Sequence, residues 1–345
     1  MMGDKMTSTI NDVARMAGVS ITTVSRVLNN NYPVKRETRE KIERAIKELN
    51  YKPNIIARSL ITKRTGTIGV IVPNLSNIFF SSILDIIEKK LEEKGYSVIL
   101  GRTNRDMNSE RNLIQGLIDR RVDGVIEIDP CKENLDNGFL QLLSQDNKLI
   151  IVCSKIFNYR CNFIHNDESK GFLEALSYLY DIGHRKIALV SGRDGVSNEN
   201  KAQLYMDFLE KKDLHYRCHH IIEEMDFMEA MDKYEDLAKG FLRQEERPTA
   251  ILCSNDVIAL SMINSCKDLG IDVPNDMSII GFNNTLVTHM SNPKLTTVDQ
   301  NIQDIGRKAV DGLLEMIEKN IKFLENKEIL PTKLIVRGST KELIY

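Results

Sequence analysis

The sequence predicts an N-terminal all-α helix-turn-helix head followed by an α/β body of two doubly wound parallel-sheet lobes. Three observations carry that expectation. Two short amphipathic stretches meet at a glycine within the first thirty residues. From Thr65 onward, short β-branched runs alternate with helical patterns. Charge is also divided unevenly: residues 1–64 hold 13 Lys and Arg against 6 Asp and Glu, a net of +7, whereas the remainder nets −9 within a total of −2. A small basic head on an acidic body points to a polyanion as partner of the head alone. At 345 residues the chain is too long for one small domain. We read residues 1–52 as the head, 53–65 as hinge helix and linker, and 66–345 as the body. Within the body, lobe 1 is expected over about 66–165 and 299–329, and lobe 2 over about 166–298 and 330–345.

In the head, Thr9 and Asp12 stand at capping-box spacing and open a helix over Ile10 to Ala17. Gly18 ends it, because glycine tolerates the left-handed conformation that closes helices. Ser20 is a good N-cap for a second helix running to about Leu28. A third spans roughly Glu37 to Leu49, with Ile42, Ala45, Ile46 and Leu49 on one face. The second helix leaves Ser20, Ile21 and Thr22 outside at its N-terminal end and Arg26 one turn on. These are positions from which a recognition helix reaches base edges in the major groove of double-stranded DNA. Arg26 can pair with guanine and Ile21 can meet a thymine methyl group. Thr9, Thr23, Ser25 and Asn29 are short polar groups suited to phosphate contacts, which fix register.

The run TINDVARMAGVSITTVSRVLNNNYPVKRETREKIERAIKELNYKPNIIARSL resembles the DNA-binding head and hinge of the LacI/GalR family of bacterial repressors. The resemblance implies that Ile21 and Thr22 set specificity and that Arg26 is a shared base or phosphate contact. It also implies a hinge helix over Asn54 to Leu60 that forms on operator DNA, with Asn54, Ala57 and Arg58 on the duplex and Leu60 wedged into the minor groove. Pro53 cannot continue a preceding helix, and a seven-residue helix is marginal alone in water. Lys35 departs from the family pattern, which has Ser or a similar cap there.

In the body the apolar runs are TIGVIV (67–72), YSVILG (96–101), DGVIEI (123–128), KLIIVC (148–153), KIALVSG (186–192), AILCSN (250–255) and SIIGFN (278–283). Between them lie helical patterns at Phe79–Lys94, Lys170–Ile182, Val257–Leu269 and Ile302–Glu318. Continuous apolar strands separated by helices form parallel sheets covered on both faces. Ligands of such sheets bind beyond the carboxyl ends of the strands. That directs attention to residues 73–80, Ser154, Asp167, residues 191–201, Asn255, Asp256, Asn283 and Asn284, whose small polar groups and few aromatics suit a polyhydroxylated or heterocyclic ligand.

The resemblance extends through this body in GVIVPNLSNIFF, RRVDGVI, GHRKIALVSG, AILCSNDVIAL, GFNN, PKLTTVDQ and LIVRGS. It implies the two-lobed fold of periplasmic sugar-binding proteins, crossed three times by the chain, with Phe79, Phe80, Asn255, Asp256, Asn283 and Gln300 lining an effector cleft. Three departures bear on the ligand. Lys201 and Leu204 replace a family Arg and Gly, and an ammonium does not reproduce a bidentate guanidinium. Asn283 replaces a carboxylate in GFNN, and Ser154 stands where Asp is common. A typical hexose therefore does not follow from the resemblance.

No run of about 18 apolar residues is present to span a bilayer, and the start of the chain lacks the apolar core of a secretory signal, so a cytoplasmic location is expected. The six cysteines form no C-x-x-C pair and read as free thiols. Nucleophile-elbow, zinc-protease and phosphate-loop patterns are missing. Cys218, His219 and His220 are adjacent in sequence, which is poor geometry for a shared metal. His184, after a helix-ending glycine, reads as a capping or packing group. The expectation is a non-enzymatic homodimeric regulator, a repressor of pseudopalindromic operators, with no cofactor or metal. A small-molecule effector, a sugar or related metabolite, tunes it; the alternatives are a protein effector or none, and more remotely a solute-binding protein.

Overall fold

A computed structural model describes residues 8–29, 32–51, 64–153, 161–192, 195–222, 234, 236–241, 246–324 and 329–343. The chain divides into two compact units, residues 1–65 and 66–345. In the first, α1 (Ile10–Ala17), α2 (Ile21–Asn29) and α3 (Arg36–Glu48) enclose Val13, Ala14, Val24, Val27, Ile42 and Ala45. Thr9 begins α1 through its bonds to the Asp12 carboxylate, 3.0 Å from the backbone N–H and 2.7 Å from the hydroxyl. Gly18, at φ +67°, closes it. Ser20 Oγ accepts from the Thr23 N–H at 3.2 Å and starts α2. Lys35 caps α3 without a side-chain hydrogen bond.

The second unit opens with β1 (Thr67–Val72), α4 (Ile78–Glu93), β2 (Ser97–Arg102), α5 (Met107–Asp119), β3 (Gly124–Ile128), α6 (Lys132–Asp136), α7 (Phe139–Asp146), β4 (Leu149–Val152) and β5 (Asn162–Asn166). It continues with α8 (Glu168–Asp181), β6 (Ile187–Gly192), α9 (Val196–Lys211), β7 (Cys218–Ile222), β8 (Ala250–Cys253), α10 (Asp256–Asp268), β9 (Ser278–Asn283), α11 (Val287–Met290) and β10 (Thr296–Asp299). Then come α12 (Ile302–Lys319), β11 (Ile329–Leu330) and β12 (Lys333–Ile335). The strands form two six-stranded sheets, ordered β11-β5-β4-β3-β1-β2 and β12-β10-β9-β8-β6-β7. Every pairing is parallel except β10 with β12.

Each sheet is apolar on both faces because helices cover both. In lobe 1 one face packs Ile68, Val70, Ile126 and Ile150 under α4 and α12. The other packs Ile71, Val125, Leu149 and Ile151 under α5 and α7. Gly124 lets α12 approach, since a Cβ there would lie 2.6 Å from Leu313 Cδ1. Lobe 2 packs Leu189, Leu252 and Ile280 against α8 and α9, and Ile251 and Ile279 against α10.

The chain passes between the lobes after β5, after β10 and after β11. Asn166 and Leu330 pair in the lobe 1 sheet, and Asp299 pairs with Asn283 and Lys333 in lobe 2. Each crossing thus falls one residue beyond the boundary expected, because sheet pairing is carried that much further. The crossings are tied together: Asn166 Nδ2 donates to Gln300 O at 2.9 Å, and the Asp167 N–H to Leu330 O at 2.8 Å. The strands β5, β7 and β10–β12 and the helices α5, α6, α7, α9 and α11 are additions to the sequence reading. Histidines and asparagines in NFIHN and CHHII interrupt the apolar run that marks a strand.

Candidate DNA-reading helix and interlobe cleft

Helix α2 buries Val24 and Val27 and turns Ser20, Ile21, Thr22 and Arg26 outward. Ile21 is 48% exposed, a large aliphatic side chain in water at the first turn of a helix. The Arg26 guanidinium lies 5.0 Å from the centroid of the exposed Tyr32 ring. Ser20 and Thr23 hydroxyls bond each other at 2.9 Å, and Thr9 is engaged with Asp12, whose carboxyl these bonds hold below the usual range. Ser25 is half-buried. The side chain of Asn29, and Asn54, Ala57, Arg58, Leu60 and Ser154, lie outside the described residues.

In the body, a cleft lies between the lobes where the chain crosses. It comprises two adjoining spaces of about 60 and 240 Å³ that share Asp129, Cys153, Glu168 and Ser197 in their walls. Phe79 and Phe80 enter the smaller one from the first turn of α4. Asn77 fixes that turn by accepting the Phe79 N–H at 3.0 Å. From lobe 2, Asn255 and Asn283 face it, together with Gln300 on the crossing. Asn255 also caps α10, accepting the Ile258 N–H at 2.8 Å. An amide chain runs from Asn166 through Gln300 to Asn283 and joins crossing segments to lobe 2. Asp167 lines the larger space and caps α8.

Two ion pairs sit in the walls. On lobe 1, Arg105 Nη2 is 2.8 Å from Asp129 Oδ2. On lobe 2, Lys201 Nζ is 3.2 Å from Glu168 Oε2. Burial holds the Asp129 carboxyl above its usual range against the pull of Arg105, and Glu168 adds to the rise. Burial, then Asp129 and Glu168, push the Cys153 thiol well up, so it stays protonated. Among the described residues the cleft offers amide, hydroxyl and paired charged groups, and its one thiol, Cys153, is not activated.

The sequence-predicted residues divide. Phe79, Phe80, Asp167, Lys201, Asn255, Asn283 and Gln300 meet in the cleft. Asp256 does not, contrary to expectation. It is 1% exposed, and its carboxylate accepts from the Thr285 N–H at 2.7 Å and from the Thr285 and Thr297 hydroxyls at 2.9 and 2.5 Å. The helix begins at Asp256, which turns this side chain into the lobe while its neighbour Asn255 faces out. Arg105, Asp129 and Glu168 were missed, whereas Ser197 falls within the expected stretch 191–201. Arg105 and Asp129 follow the carboxyl ends of β2 and β3, so the strand-end rule reaches them once those ends are inspected.

Elsewhere, the buried His184 bonds Thr249 Oγ1 at 2.9 Å and Ser278 Oγ at 3.1 Å, a packing role. His219 bonds Ser191 Oγ at 2.8 Å, and His220 stands edge-on to Phe241. Among the described residues no group of three or more metal-ligating side chains gathers, and no helix is long and apolar enough to cross a membrane.

A helix-turn-helix head joined to a two-lobed body with a polar cleft at its crossings defines a DNA-binding regulator built to respond to a bound molecule. Comparison with known proteins agrees in both parts. Residues 9–54 match the model of bacterial regulatory proteins of the lacI family, and residues 176–340 that of the periplasmic binding protein-like domain. The chain is 35% identical to the HTH-type transcriptional repressor PurR of Histophilus somni, covering 97% of this chain and 100% of that protein. It is 34% identical to the catabolite control protein A of Priestia megaterium over the same shares. The crystal structure of the lac repressor dimer bound to operator and an anti-inducer superposes with a TM-score of 0.83 at 26% identity, covering 97% of this chain and 99% of that one. The chain belongs to the LacI family of bacterial regulatory proteins and is a DNA-binding transcriptional regulator.

Proposed function

We propose that the protein is a cytoplasmic, non-catalytic homodimeric repressor whose two heads read the half-sites of a pseudopalindromic operator, with affinity set by a small molecule in the interlobe cleft. The observation that carries the DNA reading is the outward face of α2. Ile21 is left 48% exposed beside Ser20, Thr22 and Arg26. An aliphatic side chain gains nothing from water there, whereas a thymine methyl would cover it. In this reading Ser20, Ile21, Thr22 and Arg26 stand at the base edges, while Thr9, Thr23, Ser25 and Asn29 contact phosphates. Two heads on a twofold axis fix the half-site spacing. Phe79, Phe80, Asp167, Asn255, Asn283 and Gln300 contact the effector, which shifts operator affinity by no more than its own preference between lobe arrangements. The lac repressor's crystallisation as a dimer bound to operator and an anti-inducer supports the dimeric, operator-bound and ligand-responsive parts of this reading.

The experiment is selection of a high-affinity duplex from random DNA, followed by titration of wild type and Arg26→Ala. Arg26→Ala is expected to lose about 1–3 kcal/mol on the selected duplex, and log K to fall steeply with log salt. A selection that enriches no sequence, or a flat salt dependence, would remove the operator reading.

A further inference from the structure

We infer that Tyr32 is a positioning residue for DNA reading: its ring holds the Arg26 guanidinium ready for a guanine, and the loop after α2 thereby shares in discrimination at that base pair. The inference rests on the proposed operator reading and adds to it a residue that acts through Arg26 rather than on the duplex.

The cations of the head are partnered in two ways. On α1 and α3, Arg15 pairs with Asp12, Arg36 with Glu40, Arg39 with Glu43 and Lys41 with Glu37, each on its own helix. Helix α2, with the sequence ITTVSRVLN, contains no acid. The partner that the described residues give Arg26 is the Tyr32 ring, whose centroid lies 5.0 Å from the guanidinium carbon. The two kinds of partner differ in what they leave free. A carboxylate takes up planar N–H donors and brings a negative charge that phosphates repel. A ring face attracts the cation through its quadrupole and leaves those donors unspent for guanine O6 and N7. An arginine with no partner would keep its donors too, but it would lose the rotamer freedom of a long side chain on binding.

The ring is placed for this task. Tyr32 is 63% exposed, so its aromatic surface is not spent on the core. Leu28 before it and Val34 after it both pack against the core of the head, which anchors the segment carrying the ring at both ends. Pro33 narrows the backbone choices of the residue ahead of it and so limits where the ring can go. Val24 and Val27 hold the opposite face of α2 against the core, and Arg26 leaves the helix on its outer side. The attraction needs the ring and not its hydroxyl, which separates this role from a phosphate contact by Tyr32 itself.

The test titrates the full chain against the selected duplex and every single-base-pair variant of its half-site. The pair read by Arg26 is the one whose substitution wild type rejects and Arg26→Ala tolerates. Tyr32→Ala and Tyr32→Leu should each weaken the selected duplex roughly 5- to 30-fold, because a dimer uses two such ring pairs, and should relax discrimination at that base pair alone. Tyr32→Phe should bind as wild type does, and Tyr32→Ala should add nothing in the Arg26→Ala background. If the alanine variant does not fold, Tyr32→Leu carries the test, because it keeps an apolar side chain and removes the ring. Wild-type affinity in the ring-less variants, an equal loss in Tyr32→Phe, a uniform loss on all duplexes, or a loss that persists without Arg26 each overturns the inference and leaves the operator reading standing. So does an Arg26→Ala variant that rejects the same base pairs as wild type. A selection that enriches no duplex ends both.

Discussion

Each lobe buries a carboxyl group, and the two are served differently. In lobe 2, Asp256 receives three hydrogen bonds, from the Thr285 N–H and from the Thr285 and Thr297 hydroxyls. Gly281 makes room for it, since a Cβ there would lie 2.6 Å from Asp256 Oδ1. In lobe 1, Glu127 sits within β3, fully buried; among the described residues no donor reaches its oxygens, and the group it can bond, by donating its own proton, is the Glu110 carboxyl. The charged neighbour acting on it is another buried acid, Glu110, which accepts from the Cys131 N–H at 2.7 Å and from Asn134 Nδ2 at 2.8 Å. Burial pushes Asp256 up to about 7 against those three bonds. Burial and then Glu110 push Glu127 well above the usual carboxylate range. Equal depth thus yields two devices: Asp256 is an acceptor that ties α10 to β10 and the loop after β9, whereas Glu127 is an acid kept protonated against its neighbour. Depth alone does not tell whether a buried charge supports a fold; the donors around it do.

Removing the acceptor should have the largest effect. Asp256→Ala strands the Thr285 N–H and two buried hydroxyls and opens a void beside Gly281. A loss of about 3 kcal/mol in urea unfolding is expected; a loss below that of an ordinary surface change would mean the three bonds contribute little. Thr297→Val takes away one donor and keeps the volume. It should cost roughly 1–1.5 kcal/mol and raise the pH at which Asp256 titrates. An unchanged titration would separate the short Thr297 contact from the charge of Asp256.

Much of this was legible in the chain, and the reasons for the rest are physical. The seven apolar runs of the body became strands because burial on both faces demands uninterrupted β-branched residues, and that demand is written locally. The capping residues Thr9, Gly18 and Ser20 act on backbone groups within a few positions, so they too were readable. The pairing of Arg105 with Asp129 was not: both follow strand ends, but 24 positions separate them and both take left-handed conformations, φ +56° and +49°, that no residue type announces there. Asp256 was placed in the cleft because its neighbour Asn255 belongs there, and one step along a helix start turns a side chain through about 100°. The acid within VIEI did carry a signal: a carboxyl in an apolar strand asks for a partner, and the partner lies 17 positions away in α5.

The smallest effect sharpens the comparison most. A buried acid whose native pKa is raised is protonated in the folded chain at pH values where the unfolded chain has ionised. Its contribution to stability is fully present below about pH 4.5 and is lost as pH rises through the native value. Asp256 adds a loss of the same sign that ends near pH 7. The charged group acting on Glu127 does not reverse this, because Glu110 is itself an acid, and the Arg111 guanidinium bonds Asn134. Glu127→Gln replaces the protonated acid with an amide of the same shape, which still offers Glu110 a donor but has no proton to lose. The variant and wild type should therefore unfold alike below pH 4.5, and the variant should become progressively the more stable as pH rises to 8. Curves that stay parallel across that range would show that Glu127 does not titrate between them, and the contrast between the lobes would reduce to hydrogen bonding alone.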